Sequence, residues 1–149
     1  MRRDVDERAD LLEALQPLEL SAVGHADGAC QPAQIALESA GLDGDGWIAA
    51  VALGIARLAG AEVGHVGYRG PALRELLESD GSFFANAVPL QVRAEGTAAE
   101  AAEAIAAECA KLEEKLTYPT DLLARRPTLE GSEHRLAVVI APGANALVG

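Results

Sequence analysis

The fold class is decided by residues 87–116, which read AVPLQVRAEGTAAEAAEAIAAECAKLEEKL. In the first part of this stretch Val88, Leu90 and Val92 alternate with other residues, which predicts a β-strand with one apolar face. Pro89 cannot donate a main-chain hydrogen bond, so it favours a position at a sheet edge or a bulge. The segment therefore predicts a half-buried strand.

A long amphipathic helix is predicted directly after this strand. Thr97 and Glu100 have the spacing of a capping box, which marks the helix start. The apolar stripe recurs at helical spacing and consists of Ala98, Ala101, Ile105, Cys109, Leu112 and Leu116. The acidic residues of the helix are expected on its solvated face: Glu100, Glu103, Glu108, Glu113 and Glu114.

Strands alternate with helices along the rest of the chain, so the predicted class is α/β with helices packed on a mixed sheet. Ahead of residue 87 the pattern predicts a helix, a strand leading into a loop, a short helix, a buried helix, a strand and a brief helix, over residues 4–16, 18–29, 31–41, 44–60, 61–70 and 71–79. Beyond residue 116 it predicts a short helix at 121–125 and, at 136–141, a central strand covered on both faces. No helix is predicted after that strand, so we expect an incomplete fold.

Composition narrows the classes of function. The chain has 149 residues, with 12 Lys plus Arg against 23 Asp plus Glu and a net charge of −11, which argues against nucleic acid and against an anionic membrane surface as partners. The longest apolar stretch, residues 47–56, is about half of what a membrane-spanning helix needs. Cys30 and Cys109 do not form the dense pattern of a disulfide framework, so a reducing cytoplasm is the expected location.

Candidate chemical groups are few. His25 in the segment HADG could act as a general base beside Asp27, although such a pair arises often by chance, and His65 and His134 are expected in core or surface roles. The cysteines and histidines are too scattered for a zinc site. Residues 41–47, GLDGDGW, match no phosphate-binding loop and are interpreted as a turn. We therefore predict no metal and no cofactor. The residues alone do not show a set of side chains typical of a catalytic site.

Four segments in order resemble the C-terminal half of condensation domains from nonribosomal peptide synthetases. They read WIAAVALGIARLAGAEVGHVGYRG, DGSFFANAVPLQVRAEG, KLEEKLTYPTDLLARRPTL and HRLAVVIAP, and the resemblance spans roughly residues 10–142. One family motif is matched by Gly81, Phe83, Phe84, Asn86, Pro89, Leu90 and Arg93, with Ala85 and Ala87 as departures. A second is matched by Tyr118 and Pro119, with Thr120 and Asp121 in place of the family's Phe and Glu, and a shortened third by Arg125, Arg126, Pro127 and Leu129.

The resemblance implies a single chloramphenicol-acetyltransferase-like lobe. Family members have two such lobes with the active-site tunnel between them, and the catalytic H-H-x-x-x-D-G motif belongs to the N-terminal lobe. That lobe has no counterpart here, because residues 25–28, HADG, carry one histidine at the wrong spacing. Residues 1–149 are therefore interpreted as a partial condensation domain that continues beyond residue 149, and no catalytic residue is assigned.

Three functions follow from the resemblance. The first is a non-catalytic lobe that serves as a structural or interaction platform for a neighbouring adenylation or peptidyl carrier domain. The second is half of an active acyltransferase that forms peptide bonds between carrier-bound substrates, completed by an N-terminal lobe on another chain. A third places the chain among acyltransferases that act on coenzyme A thioesters. If the lobe is a non-catalytic platform, Asn86 and Asp121 are expected to fix the local fold by hydrogen bonds, Asn86 at the start of a strand and Asp121 at the start of a helix.

Overall fold

A computed structural model describes residues 2–20, 44–80, 83–115, 117–129 and 136–139. In chain order the elements are α1 (Arg2–Ala14), α2 (Gly44–Ala59), β1 (Val63–Arg69), α3 (Pro71–Asp80), β2 (Val88–Arg93), α4 (Ala98–Lys115), α5 (Leu122–Arg125), a 3-10 turn (Pro127–Leu129) and β3 (Ala137–Val139). The predicted α/β class with helices on a mixed sheet is confirmed. The predictions for His25, for Gly81 and for a helix at 31–41 lie outside the described residues.

The three strands form one mixed sheet in the order β2-β1-β3. β1 runs antiparallel to β2, with Val66 opposite Leu90, and parallel to β3, with Gly67 opposite Ala137. Among the described strands β2 pairs with β1 on one side only, which agrees with the first of the two positions, edge or bulge, that Pro89 favours.

The central strand is β1, and the prediction of a central strand covered on both faces at 136–141 is wrong for the part described. β3 pairs only with β1 within the described sheet, and its Ala137 is exposed. The five inner residues of β1 are all buried, although glycines and His65 stand among them. The apolar run at 136–141 therefore did not identify the covered strand, which is β1. The glycines of β1 allow neighbouring segments to pack closely on it, but they do not make its sequence look apolar.

Residues 16–18 pair with β1 as a short extended segment. The N–H of His65 donates to the Gln16 carbonyl at 3.1 Å, and the N–H of Leu18 donates to the His65 carbonyl at 2.9 Å. A strand was predicted at 18–29. Of this range the structure describes residues 18–20, which form no strand and follow an isolated bridge between Pro17 and His65.

The helix predicted at 4–16 is α1. Its Asp6 forms an ion pair of 2.6 Å with Arg126, which stands just before the 3-10 turn.

The helix α4 begins with the predicted capping box. The Thr97 hydroxyl accepts from the N–H of Glu100 at 3.2 Å, and the Glu100 carboxylate accepts from the N–H of Thr97 at 2.8 Å. Four residues of the predicted stripe are buried, namely Ala101, Ile105, Cys109 and Leu112. Ala98 is exposed in the first turn, contrary to the prediction, and Leu116 lies outside the described residues.

The capping box makes the first turn of α4 sensitive to acid. Hydrogen bonds from the N–H and then the hydroxyl of Thr97 lower the pKa of Glu100. A group with a lowered folded-state pKa stabilises the fold above its unfolded pKa, and this contribution is lost as the pH falls through the folded value. We expect an NMR titration midpoint for Glu100 below the ordinary glutamate value, and Thr97→Ala should raise it because the hydroxyl is removed. An ordinary midpoint in the parent chain would contradict this.

The prediction that α2 is a buried helix holds for one face only. Its buried residues are Ile48, Ala49, Ala52, Leu53 and Ala56, and this helix packs against α4 and the sheet. On the other face Val51 is 44% exposed and Leu58 is 77% exposed. An all-apolar helix therefore has an uncovered side in the described part of the protein. No helix among the described residues is both long and apolar enough to cross a bilayer.

Replacing Gly54 or Gly60 by alanine should change the free energy of unfolding in opposite directions. Gly54 lies inside α2, and a Cβ there would meet nothing within 4 Å, so Gly54→Ala should raise the free energy of unfolding by about 0.5–1 kcal/mol. Gly60 follows the helix with φ of 67° in a Schellman motif, in which Ala61 N–H donates to Ala56 O at 3.0 Å. Gly60→Ala should therefore destabilise. Urea denaturation of both variants checks the prediction, which fails if both changes have the same sign.

Candidate functional site

Two of the motif segments that are far apart in the sequence lie side by side. The N–H of Ala85 donates to the Tyr118 carbonyl at 2.9 Å, and the N–H of Thr120 donates to the Phe83 carbonyl at 3.1 Å. Phe84 and Pro119 form an isolated antiparallel bridge between these hydrogen bonds. We call the paired segments 83–86 and 117–121, with Arg69 and Gly70, the motif cluster. It assembles residues that β2 and α4 separate along the chain.

Side chains reinforce this pairing from both segments. The Thr117 hydroxyl donates to the Ala85 carbonyl at 3.0 Å, and Tyr118 is buried in the core. Asp121 stands just before the first residue of α5, where the sequence places a helix-starting acid, and it pairs with Arg125 one turn later. The segment 117–121 is thereby fixed at both of its ends.

Arg69 connects the end of β1 to the motif cluster. Its Nε donates to the main-chain carbonyl of Asn86 at 2.8 Å. Asn86 itself is exposed and stands two residues before β2. The hydrogen-bonding role predicted for Asn86 is therefore carried, in this contact, by its backbone and not by its amide side chain.

Glu113 is a residue that the sequence pattern places wrongly. The pattern predicts it on the solvated face of α4, yet it is half-buried, and its two carboxylate oxygens accept hydrogen bonds from the Tyr68 hydroxyl at 2.8 Å and the Ala72 N–H at 2.9 Å. The second contact caps the N-terminus of α3. One carboxylate therefore joins the end of β1, the start of α3 and the end of α4.

A sequence signal for Glu113 exists in the segment that it caps. The helix α3 begins with Pro71 after Gly70, and a glycine offers no side-chain oxygen to accept from the first N–H groups. An acceptor must therefore come from solvent or from elsewhere in the fold. Glu113 follows Cys109 by one helical turn, at the border of the buried stripe of α4, so it is suitably placed.

Other predicted motif residues lie outside the motif cluster. Pro89 is buried in β2 opposite Gly67, where it belongs to the sheet. Arg93 is exposed at the far end of the same strand, opposite Val63. Phe83 belongs to the motif cluster through its carbonyl, while its side chain is 72% exposed. The structure thus joins Phe83, Phe84, Asn86, Tyr118, Pro119 and Asp121, and it separates Arg93 from them.

The groups in the motif cluster are suited to holding segments in place. Its hydrogen bonds run largely through main-chain N–H and carbonyl groups, and the Glu113 carboxylate already accepts two hydrogen bonds. His65 is fully buried at the centre of β1. Among the described residues, no group of three or more His, Cys, Asp or Glu side chains is arranged to hold a metal ion.

Comparisons with known proteins add no relative to these observations: the chain matches no family model, no curated protein and no solved structure.

Proposed function

We propose that the chain is the C-terminal lobe of a condensation domain, of chloramphenicol-acetyltransferase type, in a cytoplasmic nonribosomal peptide synthetase. In this proposal the lobe is non-catalytic and serves as a platform for a neighbouring adenylation or peptidyl carrier domain. The observation that carries the proposal is the pairing of segments 83–86 and 117–121. These are the segments in which the sequence resembles two separate family motifs, and chance resemblances would have no reason to meet in space.

The contacts of the motif cluster support a positioning role. The carbonyls of Phe83 and Ala85 accept hydrogen bonds from the facing segment, and the carbonyl of Asn86 accepts from Arg69. In these contacts Phe83, Ala85 and Asn86 act through main-chain carbonyls, which hold the two segments and Arg69 in place. In this proposal the role of the motifs is structural: their hydrogen bonds fix the two segments against each other at the surface of the lobe.

Phe83 offers a specific contact for the neighbouring domain. It is 72% exposed on a segment that is itself fixed by hydrogen bonds. The exposed polar residues Asn86, Thr120 and Asp121 belong to the same cluster. An aromatic side chain with polar groups near it is a common centre of binding energy in protein interfaces.

The proposal is tested first on the native gene product. An antibody against the lobe should isolate a protein much heavier than 15.4 kDa, and tryptic peptides from it should include adenylation and carrier sequences. A product near 15.4 kDa without such sequences would contradict a platform within one assembly-line chain. That outcome would favour the second candidate below.

The role of Phe83 can be tested by substitution. With the adenylation and carrier domains found on the same product supplied as a separate protein, Phe83→Ser should weaken binding to the lobe at least tenfold in calorimetric titrations. Leu20→Ser is the matched control, because Leu20 is 44% exposed and lies outside the motif cluster. Both variants should keep the melting temperature of the parent. Equal binding by the two variants would remove Phe83 from the interface.

The second candidate is half of an active acyltransferase, completed by an N-terminal lobe on another chain. It is favoured by the uncovered apolar side of α2, because a lobe separated from its partner is expected to expose such a surface. In that case a mixture with the complementary lobe should form a peptide bond between two loaded carrier proteins. The chain alone should not.

A further inference from the structure

The uncovered side of α2 carries an apolar stripe with the spacing used in helix pairing. Trp47, Val51, Gly54 and Leu58 follow one another at intervals of four, three and four residues, which places them on one face. Val51 is 44% exposed and Leu58 is 77% exposed, and Trp47 is half-buried. This face is distinct from the buried one that packs on α4 and the sheet. We call it the outer face of α2.

A groove of about 350 Å³ lies beside this stripe. It is formed by Ala50, Leu53, Gly54 and Arg57 of α2 together with Ala98 and Ala102 of α4. The small side chains leave the backbone of α2 open to close approach, and the flanking Val51 and Leu58 stand out beside it. The groove lies between two helices, which is a position where the side chains of a further helix can pack.

Gly54 lies in the middle of this face without an internal reason. Glycine in a helix interior is destabilising relative to alanine. Apart from its chain neighbours and the adjoining backbone of α2, no described atom lies within 4 Å of the position that the Cβ of an alanine would take here. Packing inside the chain therefore does not require a glycine here. An apolar side chain of a partner that packs against the backbone of α2 would fill the space that a glycine leaves here.

Arg57 gives the groove a single charge. Among the described residues that line the groove, it is the only one with an ionisable side chain. It is exposed, and no ion pair joins it to another of the described residues. The chain as a whole has a net charge of −11. A cation in the wall of an apolar groove on an acidic protein is complementary to a carboxylate that stands beside an apolar stripe.

We propose that the outer face of α2 binds an amphipathic helix of a partner protein, one that carries a carboxylate beside its apolar stripe. The stripe of the partner packs over Gly54 between Val51 and Leu58, and its carboxylate pairs with Arg57. Such binding goes beyond the platform function. Under the second candidate, the partner helix would belong to the complementary lobe, which that candidate places on this same side of α2. A second copy of the chain is a poorer occupant, because two chains of charge −11 repel each other.

Three synthetic 18-residue helical peptides provide the test. They share leucines at the stripe positions and neutral residues elsewhere, and they differ at one flanking position, which is Glu, Gln or Lys. At 0.15 M salt the Glu peptide should bind the protein at least threefold more tightly than the Lys peptide by fluorescence anisotropy. The net charge of the protein favours the opposite order, so this preference reports the local charge of Arg57.

Two variants locate the binding site. Arg57→Glu should invert the order, so that the Lys peptide binds more tightly. Gly54→Leu should weaken all three peptides at least tenfold, because the leucine side chain would fill the contact surface, and its melting temperature should not fall, because a Cβ at this position meets nothing within 4 Å. Leu20→Glu, at an exposed leucine outside α2, should leave the order of the three peptides unchanged.

Several results would overturn the proposal. Tighter binding of the Lys peptide to the parent chain would show that net charge and not Arg57 governs the contact. Unchanged affinity in Gly54→Leu would place the peptides elsewhere. Sedimentation that shows a dimer of the parent chain, abolished by Gly54→Leu, would identify a second copy as the occupant of the face. None of these outcomes bears on the composition of the native gene product, so the two proposals fail independently.

Discussion

Gly70→Ala is expected to lower the free energy of unfolding by about 2–4 kcal/mol, a large effect for the addition of one methyl group. A Cβ at this position would stand 2.5 Å from the Tyr68 hydroxyl oxygen and 2.7 Å from the Glu113 carboxyl carbon, and it would overlap the Glu113 Oε1. The carboxylate would have to leave, and both hydrogen bonds that it accepts would be lost. Urea denaturation followed by circular dichroism measures the change.

A second variant separates this clash from a general intolerance of alanine. Glu113→Ala should cost about 1–3 kcal/mol, since it leaves the Tyr68 hydroxyl and the Ala72 N–H without that acceptor. In the Glu113→Ala background, Gly70→Ala should cost much less than in the parent, because the group with which the methyl overlaps most is gone. Strict additivity of the two changes would show that Glu113 is not what Gly70 makes room for.

The sequence predicted local elements well where the signal is local. The capping box of Thr97 and Glu100 and the stripe from Ala101 to Leu112 depend on residues within one helix. The strand β2 also forms where the alternation predicts it, but it is not half-buried, because Pro89 is buried together with the apolar face. Their geometry follows from periods of 3.6 and 2 residues, which any sequence displays directly. The class of the fold follows from the alternation of these elements.

The errors concern which surface each element meets. The apolar residues of β3 suggested burial on both faces, while β1 is the covered strand with glycines and a histidine in it. The apolar residues around α2 suggested complete burial, while Leu58 is largely exposed. Burial depends on neighbours supplied by distant segments, and an apolar pattern without a polar face does not show which of its sides those neighbours cover.

The candidate site was predictable in its parts but not in its assembly. The segments around Asn86 and Tyr118 could be selected from the sequence, but the hydrogen bonds that join them use mainly main-chain N–H and carbonyl groups, which do not distinguish one residue type from another except proline. Glu113 looked like any other glutamate of α4 because its role is set by Tyr68 and Ala72, more than 40 residues away. Contacts of this kind become visible only when the fold brings the segments together.

Leu90→Ala is expected to lower the free energy of unfolding by about 2–5 kcal/mol, a larger loss than truncation of an exposed leucine can cause. Leu90 is fully buried on β2, the strand that both α2 and α4 pack against, so the cavity would open at the centre of the core. For one domain of marginal stability, such a loss approaches the whole free energy of folding. Urea denaturation of the variant beside the parent chain measures it.

Leu58→Ala provides the matched control, because it removes the same atoms from a side chain that is 77% exposed. It should change the free energy of unfolding by less than about 0.5 kcal/mol. The contrast also tests the outer face of α2 as a free surface, since a loss comparable to that of Leu90→Ala would mean that Leu58 is covered within the isolated chain. A small effect of Leu58→Ala leaves this side chain available to a partner, and the same substitution should then weaken the binding of the Glu peptide.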